Sequence, residues 1–156
     1  MAGKNFKNMA ALYKYLEVKI ADALQNEVGN EVVKVMAEDG GSMDKYVYGV
    51  YTPYSKDGVT KHYERTFQLK HPSNFQVKML DKKTVAIRST REEDGRKIYK
   101  IIETGEGYDW GYARNLNEEI GARPVHAQTA KDLNQDKSRL VRAMKTGLAR
   151  GGIRTV

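Results

Sequence analysis

The first quarter of this sequence places apolar residues at intervals of three and four positions, and this spacing constrains the fold most. It puts the apolar side chains on one face of a helix, so we predict one long amphipathic helix over residues 7–38. Gly29 interrupts the pattern and predicts a bend, because glycine weakens a helix interior. Gly40 and Gly41 predict the end of the helix. The apolar positions are Met9, Leu12, Tyr13, Leu16, Ile20, Ala23, Leu24, Val28, Val32, Val35 and Met36.

A second long helix is predicted near the C-terminus, over residues 125–149, from the same kind of spacing. Pro124 suits the first turn of this helix, where its missing N–H costs little. Gly151 and Gly152 are expected to end it. The apolar positions are Ala127, Ala130, Leu133, Leu140, Val141, Met144 and Leu148.

Three β-strands are predicted between the two helices, because the residues there alternate between two faces with a period of two. They occupy residues 75–80, 84–88 and 98–102. Residues 81–83 are short enough to close a hairpin between the first two strands. Residues 91–96 are polar or glycine throughout, and we expect a solvated loop there.

The order helix, strands, helix predicts an α+β protein. We expect a small antiparallel sheet of three to four strands packed against a long N-terminal and a long C-terminal helix. The length of 156 residues suits a single domain over residues 1–156. Residues 1–6 and 151–156 are expected to be flexible. Residues 46–51 favour a further helical piece before a loop, and residues 104–112 a glycine- and aromatic-rich loop.

The composition is that of a globular protein, with 40% hydrophobic and 30% charged residues. Cysteine is absent, which excludes disulfides and cysteine-based metal sites or nucleophiles. No apolar run suits a signal peptide or a membrane helix, so we expect a soluble protein made in the cytoplasm.

The motifs of common enzymes are also missing from the sequence. The three histidines, His62, His71 and His126, have no metal-binding spacing, and no GxSxG element is present. Residues 105–107 match only a fragment of a phosphate-binding loop, and Glu103 lies near Glu106 and Asp109 without an evident pocket. We therefore expect a protein that is not an enzyme and holds no metal or cofactor.

Aromatic and basic residues are concentrated in the middle of the chain. Residues 61–100 contain eleven Lys or Arg and five Asp or Glu, out of a net charge of +7 for the chain. Such a stretch favours either phosphate contact or an ordinary solvated surface. The tyrosines favour either a contact surface between proteins or packing of an irregular loop. They are Tyr46, Tyr48, Tyr51, Tyr54 and Tyr63.

Two segments carry a resemblance to a known family. The run YERTFQL at residues 63–69 is followed by a strand pair, and EEIGARP at residues 118–124 enters the final helix. In this order and spacing they resemble the tail-component or head–tail joining proteins of long-tailed bacteriophages, which complete the tail in the neck. The upstream run VYGVYTPY resembles a segment of the same proteins, and the likeness covers roughly residues 45–150.

The resemblance implies a structural virion protein of the neck that completes the tail and joins it to the DNA-filled head. It implies a homo-oligomeric ring of six or twelve copies around the DNA channel, beside other neck and tail proteins, and no cofactor. It also implies assembly into the virion after synthesis in the host cytoplasm, with non-specific contact to passing DNA and no contact with membranes.

For this role we expect two sets of residues to matter. Arg65 and Arg123 are interpreted as structural or intersubunit residues, each in a carboxylate pair, or else as exposed arginines. The alternative function is a basic nucleic-acid-binding module without enzymatic activity. The expected intersubunit or neck contacts are Tyr46, Tyr48, Tyr51, Tyr54, Tyr63, Arg65, Trp110 and Arg123. The expected basic set of the DNA channel is Lys78, Lys82, Lys83, Arg88, Arg91, Arg96, Lys97 and Lys100.

Overall fold

A computed structural model of the chain describes residues 5–50, 66–107 and 121–154. It confirms the α+β class, with long helices near both ends and two small sheets of two strands each. The helices are α1 (Met9–Ala23), α2 (Gly29–Ala37), α3 (Ile98–Thr104), α4 (Val125–Gln135) and α5 (Ser138–Arg150). The strands are β1 (Phe75–Met79), β2 (Val85–Ser89), β3 (Glu92–Glu93) and β4 (Arg96–Lys97). Within these described residues, no helix is both long and apolar enough to cross a membrane.

The chain divides into two compact units. The first unit comprises Met1–Val32, Val77–Ile87 and Lys137–Val156, and the second comprises Val33–Gln76 and Arg88–Asp136. The single domain expected over the whole chain stays a prediction.

The long N-terminal helix is confirmed, with one irregularity. Helix α1 begins after Asn8, whose side chain accepts the N–H of Ala11 at 2.9 Å. A bend was predicted at Gly29. The structure has a π-helical turn at Leu24–Val28, just before this residue, which joins α1 to α2 without a break in the helical backbone. A Cβ atom on Gly29 would lie 2.4 Å from Cγ1 of Val77, so glycine lets the neighbouring strand approach the helix.

In the first unit, helix α5 packs against α1 through small residues. Ala23 and Gly147 are both buried where the two helices meet. A Cβ atom on Gly147 would lie 2.6 Å from the Cβ of Ala23, so the two backbones are closer here than a side chain at position 147 would allow. Beside this contact, Arg139 Nε lies 2.7 Å from Glu31 Oε1. This ion pair is a second contact of α5, made with α2.

The predicted C-terminal helix of residues 125–149 is wrong in one respect, because it is two helices. Helix α4 ends at Gln135, and Asp136 is extended with φ −125° and ψ 100° before α5 begins at Ser138. Aspartate favours such positions because its side chain competes for backbone hydrogen bonds. The apolar spacing on both sides continues across the break, which is why the sequence pattern did not reveal it. The end at Gly151 is confirmed.

The first predicted hairpin is confirmed. Its outer ends are joined by the N–H of Thr90, which donates to the carbonyl of Asn74 at 2.7 Å. At the turn, the N–H of Leu80 donates to the carbonyl of Thr84 at 2.9 Å, and the side chain of Asp81 accepts a backbone N–H. Strand β1 alternates between half-buried and exposed residues, as the period of two predicted.

The strand predicted over residues 98–102 is wrong, because this segment is helix α3. Ile98 and Ile102 share a face at either period in so short a run. Burial of Ile102 and a left-handed Gly105 at the helix end accompany the helix. The loop predicted over residues 91–96 contains the short hairpin of β3 and β4. Asp94 and Gly95 both have positive φ there, as a tight two-residue turn requires.

The second unit has the larger apolar core among the described residues. It buries Ser42, Ser89 and Thr129 as polar residues inside this core. Among the described residues of the first unit, the buried apolar side chain is that of Ala23, which is 1% exposed. The buried apolar residues of the second unit are Val33, Met36, Met43, Val47, Ile102 and Val125.

A π-helical turn at Asp44–Tyr48 confirms the further helical piece predicted after α2, as far as the described residues extend. The hydroxyl of Tyr46 donates to Oδ2 of Asp132 on α4 at 2.6 Å. This hydrogen bond, burial and the carboxylate charge all raise the pKa of Tyr46. The contact therefore joins this turn to helix α4.

We predict that Gly147→Ala destabilises the protein. The added methyl group must push α5 away from α1, at a cost of about 1–3 kcal/mol. A gain in helix propensity of about 1 kcal/mol offsets part of this cost. Urea denaturation measures the result, with Thr146→Ala as the control, because Thr146 is exposed on the same helix. A Gly147→Ala protein as stable as the wild type would show that the helices do not pack as described.

We also predict that Asp132→Asn lowers the pKa of Tyr46 towards its ordinary value. The raised pKa means that the Tyr46–Asp132 contact stabilises the fold fully below about pH 10, and that this contribution is lost as the pH rises through the higher folded-state pKa. Ultraviolet absorbance titration of each protein against its Tyr46→Phe counterpart isolates this tyrosine. Glu106→Gln serves as a control for loss of one exposed carboxylate. An unchanged midpoint in Asp132→Asn would contradict the contact.

Candidate functional site

Three polar side chains from separate elements meet in the second unit and form the Ser89–His126–Glu103 network. Ser89 is the last residue of β2, Glu103 lies in α3, and His126 is the second residue of α4. The Oγ atom of Ser89 lies 3.1 Å from Nε2 of His126. On the other side of the ring, Nδ1 lies 2.5 Å from Oε1 of Glu103. The imidazole therefore bridges a hydroxyl and a carboxylate.

The acceptor Glu103 determines where the protons of this network lie. An ionised carboxylate only accepts hydrogen bonds, so Nδ1 of His126 must carry the proton that joins them. In the neutral ring Nε2 is then bare and accepts the hydroxyl proton of Ser89. The same oxygen of Glu103 accepts the backbone N–H of His126 at 3.0 Å. Because that N–H lies in the first turn of α4, it has no acceptor within the helix.

The network lies at the edge of the second unit. Ser89 is 7% exposed, whereas the side chains of His126 and Glu103 are 30% and 22% exposed. Solvent therefore reaches the ring and the carboxylate more freely than the serine. This arrangement can fix β2, α3 and α4 to one another, and it also has the order of groups that activates a serine hydroxyl.

Three of the residues predicted as intersubunit contacts lie in the described part of the chain, and the other five lie outside it. Tyr46 contacts Asp132, and the hydroxyl of Tyr48 accepts the N–H of Leu69 at 3.2 Å. Arg123 donates from Nη1 to the carbonyl of Val47 at 3.3 Å. These three side chains therefore have contacts inside the second unit, and their role between subunits stays a prediction. The residues outside the described part are Tyr51, Tyr54, Tyr63, Arg65 and Trp110.

The predicted basic set is distributed over both units. Most of its members are exposed, but Lys82 lies 2.9 Å from Glu17 and Arg91 lies 3.4 Å from Glu93. Both contacts are partly solvated and contribute little to stability. Lys78, Lys82 and Lys83 belong to the first unit. Arg88, Arg91, Arg96, Lys97 and Lys100 belong to the second unit.

No sequence pattern predicted that Ser89, Glu103 and His126 would meet. Their spacing matches no catalytic motif, and each lies on a different element, two of which were predicted with the wrong type or length. Over residues 5–50, 66–107 and 121–154, no group of three histidines, cysteines or acids is arranged to hold a metal ion.

Comparison with known proteins gives the family of the chain. A family model named YomN matches residues 8–150. The SPbeta prophage-derived uncharacterized protein YomN of Bacillus subtilis (strain 168) is 28% identical over 156 residues, which cover 97% of this chain and 98% of the relative. No solved structure matches the chain. The relative's prophage origin supports a phage-derived origin, and because the family model covers nearly the whole sequence, the chain belongs to the YomN family.

Proposed function

We propose that this chain is a structural protein of a phage virion, which completes the tail at the head–tail joint as part of a homo-oligomeric ring. The prophage-derived relative supports the phage setting, and the order of motifs in residues 45–150 supports the neck position. The role needs shape and contact surfaces, and it requires no catalytic step and no cofactor.

The observation that carries the structural role is the apolar surface of the first unit. Met9 and Tyr13 lie one turn apart on α1, and each is 59% exposed. On α5, Val141 is 50% exposed. Ala23 is the buried apolar side chain described in this unit, so the helix pair leaves large apolar groups in contact with water. Exposed apolar groups of this size on one helix face favour association with another protein surface.

A ring results when this surface on each copy binds a different patch on the next copy. A head-to-tail contact uses two different patches on each subunit and closes when the rotation between neighbours divides a full turn. Six or twelve copies would then leave a central channel for DNA. The exposed side chains of Lys78, Arg88 and Lys100 provide positive charge for contact with phosphates without reading a sequence.

We predict that the purified chain forms rings at high concentration and that Tyr13→Ser shifts it towards monomers. The substitution removes an exposed aromatic group, so it should leave the fold intact while weakening the contact by about tenfold. Light scattering and negative-stain electron microscopy over a range of concentrations measure the copy number. Lys14→Ser, an exposed change at the next position, is the matched control.

A second measurement addresses the position in the virion. Mass spectrometry of purified phage particles should find the chain at six or twelve copies per particle. A chain that stays monomeric at every concentration and is absent from particles would contradict the proposal.

The alternative function, a basic nucleic-acid-binding module, is favoured by the excess positive charge of residues 61–100. The two functions differ in their dependence on salt. A DNA-binding module should bind a short duplex as a free monomer and lose affinity steeply as salt rises. A neck protein should bind weakly as a monomer at every salt concentration.

A further inference from the structure

We propose that Ser89 is an activated nucleophile that reacts with acyl groups, with His126 as the general base and Glu103 as the residue that orients the ring. This activity would be additional to the structural role and independent of it. It also runs against the expectation, drawn from missing sequence motifs, that the protein is not an enzyme.

The first argument is the order and spacing of the groups. Nucleophilic serines are activated where the hydroxyl meets one imidazole nitrogen and a carboxylate meets the other. Here these contacts measure 3.1 Å at Nε2 and 2.5 Å at Nδ1. The carboxylate of Glu103 imposes the tautomer in which Nε2 can receive the serine proton. Such a set is recognised by geometry and role, and its three members need no particular order in the sequence.

The second argument is the way His126 is held. Oε1 of Glu103 binds both the ring Nδ1 and the backbone N–H of this residue, so both ring position and ring orientation are fixed by one atom. Thr104, which follows Glu103, donates its hydroxyl to the carbonyl of Lys100 at 2.9 Å and so ties the end of α3 to its preceding turn. A base held this way loses little freedom when it takes a proton.

The third argument is the electrostatic setting. Helix α4 begins at Val125, so its positive end lies beside His126. Positive potential there would stabilise negative charge that develops on an acyl oxygen at Ser89. The low exposure of Ser89 reduces competition from water for its hydroxyl.

The reaction proposed is acyl transfer from an ester to water. The Oγ–H bond of Ser89 breaks, its proton moves to Nε2 of His126, and Oγ bonds to the acyl carbon. The ester C–O bond breaks, and the proton on Nε2 passes to the departing alcohol. A water molecule then gives a proton to Nε2 and its oxygen to the acyl carbon, and the carboxylic acid leaves as Oγ regains its proton. No oxidant or reductant is needed.

The chain contains its own control for serine reactivity. The Oγ atom of Ser73 lies 2.7 Å from Nδ1 of His71, and both residues are exposed. Among the residues that the structure describes, no carboxylate is hydrogen-bonded to the ring of His71. If contact with a histidine were enough, Ser73 should react at least as well as Ser89. If the carboxylate matters, only Ser89 should react.

The experiment is labelling of the full chain with a biotinylated alkyl fluorophosphonate, followed by peptide mass spectrometry. We expect the phosphonate on Ser89, loss of labelling in Ser89→Ala, and unchanged labelling in Ser73→Ala. Glu103→Gln should slow labelling by about tenfold or more, since the carboxylate sets the tautomer. Hydrolysis of p-nitrophenyl butyrate should fall in the same variants, with circular dichroism confirming that each is folded.

The wild-type protein by itself can overturn the proposal. No modification of Ser89 under conditions that saturate a known serine esterase would overturn the proposal. Equal labelling of Ser73 and Ser89, or an unchanged rate in a folded Glu103→Gln protein, would do the same. Variants that lower the free energy of unfolding while the wild-type protein shows no reactivity would leave the network as a structural clamp. None of these results bears on ring assembly, so the two proposals are separable.

Discussion

The close approach of two helix backbones at Gly147 is the constraint on which the first unit depends. Ala23 and Gly147 present almost no side chain to each other, so the backbones of α1 and α5 come close together at this point. Such a contact gives good van der Waals packing over a small area, and it buries little apolar surface. Other large apolar residues of this unit, among them Met9, Tyr13 and Val141, remain exposed. They form the surface proposed to join neighbouring copies.

The second unit is organised differently, around a compact apolar core with polar residues inside it. Each buried hydroxyl there needs a partner, because an unsatisfied polar group in a core costs about 1–3 kcal/mol. Thr129 meets this need by donating to the carbonyl of Val125 at 2.7 Å within its own helix. The hydroxyl of Ser89 has His126 as its hydrogen-bond partner, and this contact is one half of the Ser89–His126–Glu103 network. The same hydrogen bonds can thus satisfy the core and prepare a serine for reaction.

The sequence predicted those parts of the fold in which one period dominates over many residues. The N-terminal helix extends through about four turns before its irregularity and about two and a half turns after it, and its apolar spacing is helical on both sides. The hairpin of β1 and β2 was predicted because its strands alternate cleanly and its turn is short. Helix α3 was missed because Ile98 and Ile102 share a face at a period of two, and a run of five residues is too short for the helical spacing of Ile98, Ile101 and Ile102 to decide. The break at Asp136 was missed because apolar spacing resumes in phase after it.

The site was beyond sequence reasoning for a physical reason. Contact between Ser89 and His126 depends on where β2 ends relative to the first turn of α4, which is a matter of tertiary packing. A single histidine and a single serine are too common for their presence to predict a contact. For the tyrosines predicted as contacts, composition was the signal. The described ones, Tyr46 and Tyr48, have hydrogen-bond partners within the chain.

The π-helical turn at Leu24–Val28 has a consequence for how the long N-terminal helix can serve two different surroundings. A π turn accommodates one extra residue, which rotates everything after it by about 100° relative to an uninterrupted α-helix. Ala23 before the turn is buried in the first unit, and Met36 after it is buried in the second unit. A single additional residue in the turn therefore changes which side chains downstream point towards a given side of the helix. A homologue with one residue fewer in this segment would need a different surface downstream to remain folded.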